Sequence, residues 1–363
     1  MADPPDPTRA PGAPHPSEAP ALIGQDAAEA AILSALGAGR PHHAWLLTGP
    51  RGAGKATLAW RIARFLVAMP PGPAESLDVP PDHPVSRRIR AGSEPGIHVL
   101  ARRYDEKAKR MPAEIRVDEV RALKSRLVLG AADGGRRAVI VDSADEMNLA
   151  AANALLKLLE EPPTGVTFLL VSHVPTRLLP TIRSRCRELR LAPLSPEHVA
   201  EILAATGHAP DPAAAILAHG SAGEAFGLAA QDGAALYADL LSLVSKAPGM
   251  DRAAMIALAE GAARRDRPER LDLVLSLIDI LLSRLAKAGA GALSDVQAAR
   301  GETLALERLA PDARAARAWA DLQISLSERA VHARAVNLDP GALLLDTLAQ
   351  IDETARGLAG RAP

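Results

Sequence analysis

Trp45-Leu-Leu-Thr48 is followed directly by Gly49-Pro-Arg-Gly-Ala-Gly54-Lys55-Ala56-Thr57. An apolar run that ends in three glycines and a lysine, just before a helical pattern, constrains the fold more than any other part of the chain. The loop has to bend on backbone that side chains disfavour and then open a helix. In that strand, loop and helix context the amides around Gly49, Gly52 and Gly54 converge on phosphate oxygens. The helix N-terminus adds partial positive charge, and Lys55 reaches the β and γ phosphates. A plain glycine turn closing a strand is the simpler alternative, but it leaves the full spacing and the lysine unexplained.

The residue after the loop lysine should be Ser or Thr, because its hydroxyl ligates magnesium; here it is Ala56. Thr57 stands one position later, rotated by roughly 100° on a helix, so it should not replace that ligand without rearrangement. A second apolar run, Arg137-Ala-Val-Ile-Val-Asp142, ends in an acid placed to hold magnesium through water. The next residue, where a glutamate would orient the attacking water, is Ser143, a poor base at neutral pH. Asp145 and Glu146 are expected to be acids at a helix N-terminus rather than displaced bases. The pattern supports nucleotide binding better than magnesium placement or turnover.

With 363 residues the chain should divide into two or three compact units. Aromatics are 2% against 48% hydrophobic residues overall, so the cores must be aliphatic. Lys and Arg total 42 and Asp and Glu 43, which leaves no general basic field for nucleic acid. One cysteine, Cys186, excludes an internal disulfide framework and fits a reducing cytoplasm. No stretch is long and uncharged enough for a membrane span, and no apolar leader stands at the N-terminus. A soluble cytoplasmic protein without membrane contact is therefore expected.

Residues 1–21, with seven prolines in the first twenty, are expected to be a disordered tail. From 22 to 193 apolar runs alternate with helical patterns, which predicts a parallel α/β sheet with strands at Trp45–Thr48, His98–Leu100, Ala138–Asp142, Val166–Val171 and Glu188–Leu191. An irregular excursion is expected between about 70 and 113. Helical spacing dominates afterwards. A break at Lys246–Asp251 suggests a small helical domain over 194–247 and a larger one over 248–363.

Further along the chain come Ala151-Ala-Asn153-Ala-Leu-Leu-Lys157-Leu-Leu-Glu160-Glu161-Pro162-Pro163, Phe168-Leu-Leu-Val-Ser172 and Leu179-Pro-Thr-Ile-Arg183-Ser184-Arg185-Cys186. Together with Ile23-Gly24-Gln25 and Arg40-Pro-His42-His43-Ala44-Trp45-Leu46, these segments closely resemble the AAA+ ATPases of bacterial DNA polymerase III clamp loaders, over most of residues 22–230. The resemblance implies an AAA+ P-loop domain, a helical lid at 194–247 and an all-α collar at 248–363 through which five subunits form an open ring. It also implies delta and gamma or tau subunits as partners, with the sliding clamp and primer–template DNA reached through the complex.

Two kinds of subunit fit this resemblance, the ATP-hydrolysing gamma or tau motor and the non-motor delta-prime. Ala56 and Ser143 depart from the motor pattern. So does Gly223, within Gly220-Ser221-Ala222-Gly223, where motor subunits place a γ-phosphate-sensing arginine. His173 stands where the family's first sensor, usually Thr or Asn, is expected. Ser184-Arg185-Cys186 is intact, and in this family that arginine acts on ATP held by the neighbouring subunit. Losses in cis with retention in trans resemble delta-prime. The resemblance thus assigns Arg185 a catalytic role in trans and gives Gly49, Gly52, Gly54, Lys55, Thr57 and Asp142 to a degenerate ATP site. No cofactor is required on this reading, although ATP or ADP binding without turnover stays open.

Arg185 could instead pair structurally with a carboxylate such as Glu188, and Cys186 reads as a small buried residue rather than a reactive thiol. The family's four-cysteine zinc module lacks its ligands here. His83 and His98 cannot close a tetrahedral site alone, so no zinc is expected. In the last helix, after Asn337-Leu-Asp-Pro-Gly, Leu343, Leu344 and Leu348 share one face, which the resemblance alone implies meets neighbouring subunits.

Overall fold

The structure is a computed structural model. It describes residues 6–37, 42–68, 75–105, 109–129, 135–264, 266–267, 269–293, 296–336 and 338–360. Arg40, Pro41, Asn337 and parts of the 70–113 excursion lie outside them. The chain divides into two compact units, one of residues 1–209 with 219–226 and one of 210–218 with 227–363.

The first unit is a parallel α/β domain with flanking helices, as the alternation of apolar runs and helical patterns leads one to expect. Its strands are β1 (Ala44–Thr48), β2 (Ile97–Leu100), β3 (Arg137–Asp142), β4 (Val166–Val171) and β5 (Arg187–Arg190). They form one parallel sheet in the order β2-β3-β4-β1-β5. The central strands read as unbroken apolar runs because both faces are covered. Leu46, Val139, Val141, Phe168 and Leu170 enter one core, and Trp45, Leu47, Ile140, Leu169 and Val171 the other. Charged residues on β5, with Arg187, Glu188 and Arg190 exposed, blunt that edge against further pairing.

Helices α1 (Asp26–Gly37), α2 (Lys55–Ala68), α3 (Pro84–Arg90), α4 (Val117–Leu129), α5 (Leu149–Glu160), α6 (Pro180–Arg183) and α7 (Pro196–Ala205) complete this unit. Their starts follow capping chemistry. Asn148 accepts the Ala151 amide at 2.9 Å ahead of α5, and Ser195 accepts from His198 ahead of α7, whose first residue is Pro196.

Residues from Asp6 to Ala21 differ from the expected disordered tail. They form turns and a 3-10 helix, Pro16–Glu18, laid against α2 and α3. Arg64 of α2 donates to the Ser17 carbonyl, His15 packs edge-on against Trp60 at 5.5 Å between ring centroids, and Ala13 and Ser17 are buried. Proline lowers the entropy of the unfolded segment, so fewer contacts suffice to order it than its polarity suggested.

The second unit contains α8 (Pro212–Leu217), α10 (Gly233–Val244), α11 (Arg252–Ala262), α12 (Glu269–Gly289), α13 (Glu302–Leu309), α14 (Ala313–Ala335) and α15 (Pro340–Ala359); α9 (Ala222–Ala230) starts in the first unit and ends in the second. The packing of α12 on α14 dominates it. The break at Lys246–Asp251 lies inside this unit, where the Gly249 and Met250 amides both donate to Asp352, at 2.6 and 2.9 Å. Leu343 is 6% exposed and Leu344 and Leu348 are fully buried, with α15 packed on α11 and α14. These leucines serve the unit's own core and are not a face open to neighbouring subunits. Among the described residues no helix is long and apolar enough to cross a membrane.

Candidate nucleotide site

β1 ends at Thr48 and the chain turns through Gly49, Gly52 and Gly54, all at positive φ. Close approach adds to the demand for glycine. A Cβ on Gly52 would stand 2.0 Å from the Ser221 hydroxyl, and one on Gly49 would stand 2.5 Å from the Leu191 carbonyl. Gln25, 4% exposed, holds the loop from outside by donating to the carbonyls of Ala53 at 3.0 Å and Ala192 at 2.8 Å. The Ile23-Gly24-Gln25 motif thus has a structural task.

Behind the loop lies a cavity of about 490 Å³ lined by Gly52, Gly54, Lys55, Thr57 and Asp142. Five of the six residues assigned to nucleotide therefore meet, with Gly49 just outside the lining. Ala56, Ser143, His173 and Gly223 line it as well, so each departure from the motor pattern falls on this one cavity. Gly52, Gly54, Lys55 and Asp142 thus share this cavity with Ala56, Ser143 and Gly223. Thr57 reaches the lining despite its late position.

Lys55 is 3% exposed, and its ammonium donates to the carbonyls of Gly49 at 2.7 Å and Pro50 at 2.5 Å. Burial lowers its pKa to about 8 against the opposing pull of Asp142 and Asp145. Burial, with Glu146 nearby, raises Asp142 to about 7, and Lys55 opposes this. Burial lowers His173 to about 4, helped by Lys55 and Arg51, and its Nδ1 has no hydrogen-bond partner. Ser143 Oγ stands 3.5 Å from Asp142. Three shifted titrations thus meet at one cavity, with His173 Nδ1 left without a partner there.

Asp145 and Glu146 stand on a single 3-10 turn, Ala144–Glu146, and not at the start of an α-helix. Asp145 accepts the His173 backbone N–H at 2.9 Å. Glu146 pairs with Arg102 at 2.6 Å and faces Arg51 at 3.8 Å. These charge partners were not legible in one dimension. Arg102 lies in the 70–113 excursion, which reads only as irregular, and the bridge between Ile115 and Met147 shows how the following segment joins the chain beside Glu146.

Arg185 does not line the cavity. It follows α6, donates to the Thr181 carbonyl at 3.0 Å and pairs with Glu160 at 2.8 Å, with about a third of its side chain exposed. Its carboxylate partner is Glu160, not Glu188, whose Oε1 accepts from Thr48 at 2.8 Å. Cys186 packs against the sheet core, and burial pushes its thiol up to about 12, which fits an inert residue. His83 caps α3 by accepting from Val85, and His98 lies in β2 with its pKa lowered by burial. No group of three or more His, Cys, Asp or Glu able to hold a metal occurs among the described residues.

Residues 24–195 match the family described as "DNA polymerase III, delta subunit". The chain is 43% identical over 157 residues to the DNA polymerase III subunit delta' of Pseudomonas aeruginosa, covering 43% of this chain and 45% of that one. It is 38% identical over 162 residues to the Escherichia coli subunit of the same name, covering 45% of this chain and 46% of that one. The gamma/tau subunit of Mycobacterium tuberculosis is 34% identical over 193 residues, covering 50% of this chain and 30% of that one. The matched region thus spans about half the length of the delta' relatives or less. Over roughly half its length the chain is similar to DNA polymerase III delta' and gamma/tau subunits.

Proposed function

We propose that this chain is a non-motor, delta-prime-type subunit of a cytoplasmic DNA polymerase III clamp loader. It holds the ring by binding delta and a gamma or tau subunit, and it presents Arg185 to ATP on that neighbour. Through the complex it helps load the sliding clamp onto primed DNA during replication. The observation that carries this reading is the separation of parts. The replaced groups Ala56, Ser143 and Gly223 gather on the chain's own cavity, while Arg185 stands away from it on a partly exposed corner. A guanidinium there supplies positive charge where the transferred phosphoryl group accumulates negative charge.

The chain's own site, with its phosphate loop, Lys55 and Asp142 in place, is read as holding ATP or ADP without turnover. Arg185→Ala is expected to lower hydrolysis at the neighbouring subunit's site by roughly 10³-fold or more while assembly persists. Unchanged hydrolysis in the assembled complex overturns the reading. One observation favours a gamma/tau-type motor instead: Thr57 and Asp142 line the same cavity. Steady ATP turnover by the purified chain alone, abolished by Lys55→Ala, would establish that alternative.

A further inference from the structure

The cavity behind the phosphate loop has an unexpected outer wall. Pro7, Ala10, Pro11 and Pro14, all from the segment ahead of Leu22, line it together with Lys55 and Asp142. This segment is a constructed element. Thr8 Oγ1 donates to Asp6 at 2.7 Å, Arg9 Nε donates to the Ala13 carbonyl at 2.5 Å, and His15 Nδ1 meets the Ser17 hydroxyl at 2.6 Å. Arg64 fastens its end to α2 through the Ser17 carbonyl.

Two further observations tie the segment to the ligand space. A Cβ on Gly223 would stand 3.3 Å from the Cβ of Ala10, so this segment packs directly against position 223. The Asp6 carboxylate is also among the charges that raise Asp142.

We infer that residues 6–21 are a strap forming one wall of a nucleotide site, so that lifting the strap speeds release of a bound nucleotide. The chemistry of the walls identifies the ligand class. The lining offers the loop amides, Lys55 and His173, suited to phosphate, together with Ile23, Leu194, Phe226 and the strap's prolines and alanines, suited to a flat apolar base. A strap that plugged the site would fill this space, yet a cavity of about 490 Å³ remains between strap and loop. The inference rests on the proposed retention of nucleotide by the phosphate loop.

The test uses the full chain and a fluorescent ADP analogue. Hydrogen exchange across residues 6–21 should slow when the analogue binds. Release, followed by chase with unlabelled ADP, should accelerate about tenfold in a chain lacking residues 2–20, and by a smaller factor in Arg64→Met, which keeps the strap but loses its fastening. Equal release rates in all three proteins, or exchange at 6–21 that ignores the analogue, overturn the strap. Binding seen only in the shortened chain makes the segment a plug and overturns the wall. If neither the full nor the shortened chain binds the analogue, nucleotide retention itself fails, an outcome distinct from equal release.

Discussion

Buried charge is handled in opposite ways in the two compact units. In the sheet unit Lys55, Asp142 and His173 crowd one cavity with shifted titrations, and His173 Nδ1 is left unpaired. In the helical unit Glu302, fully buried, accepts from Tyr237 at 2.5 Å, Arg284 Nε at 2.6 Å, Arg284 Nη2 at 3.0 Å and the Ala298 amide at 2.6 Å. A satisfied network fixes a core, whereas an unsatisfied one is held ready by the surrounding fold for something to bind. The contrast separates a buried charge whose partners the fold supplies in full from a cluster that leaves one buried atom without a partner.

The largest effect is expected in the helical unit. Glu302→Ala leaves the buried Arg284 guanidinium without its carboxylate and should cost about 3–5 kcal/mol, measured as a lowered urea midpoint of that unit's transition. The double change Arg284→Met with Glu302→Leu should recover much of the loss, because two apolar groups need no partners. A single substitution that costs no more than a surface change breaks the comparison.

The sheet unit should respond to pH instead. Asp142 is raised, so its folded form holds a proton that the unfolded chain has lost; its contribution to stability falls as pH rises from about 4 to about 7. His173 is lowered, so the unfolded chain holds the extra proton, and its contribution rises with pH from about 4 to about 6.5. The two slopes oppose each other over that range and largely cancel. Asp142→Asn should therefore uncover a stability that increases with pH between 4 and 6.5, and His173→Asn one that decreases, each by about 1 kcal/mol per pH unit. Flat profiles in both variants would show that the cavity is no more strained than the Glu302 network.

What could be read in advance follows the range of the interactions. The sheet was legible because Trp45–Thr48, Arg137–Asp142 and Val166–Val171 are buried on both faces and must be apolar throughout. The phosphate loop was legible because its glycines and lysine are contiguous. The pairing of Arg102 with Glu146 was not, since the partners lie far apart in sequence and surface charges give no directional signal. The ordering of residues 6–21 was hidden by composition, because alanine and proline contribute little apolar area each and only their fit against α2 makes it count. Leu343, Leu344 and Leu348 show the remaining limit: a stripe reveals that a face is covered, but not whether the cover comes from the same chain.

The smallest effect concerns Arg185. Its pairing with Glu160 is half-exposed, with side chains 36% and 41% accessible, so solvent screens it and Glu160→Ala should change stability by less than about 1 kcal/mol. Thermal unfolding checks this, and a larger loss would place Arg185 with the Glu302 network as a structural ion pair. A negligible loss leaves Arg185 as a charge held loosely by one carboxylate and one carbonyl, free to exchange Glu160 for a phosphate at little cost. That is the energetic condition a trans-acting arginine has to meet, and the buried Arg284 could not meet it.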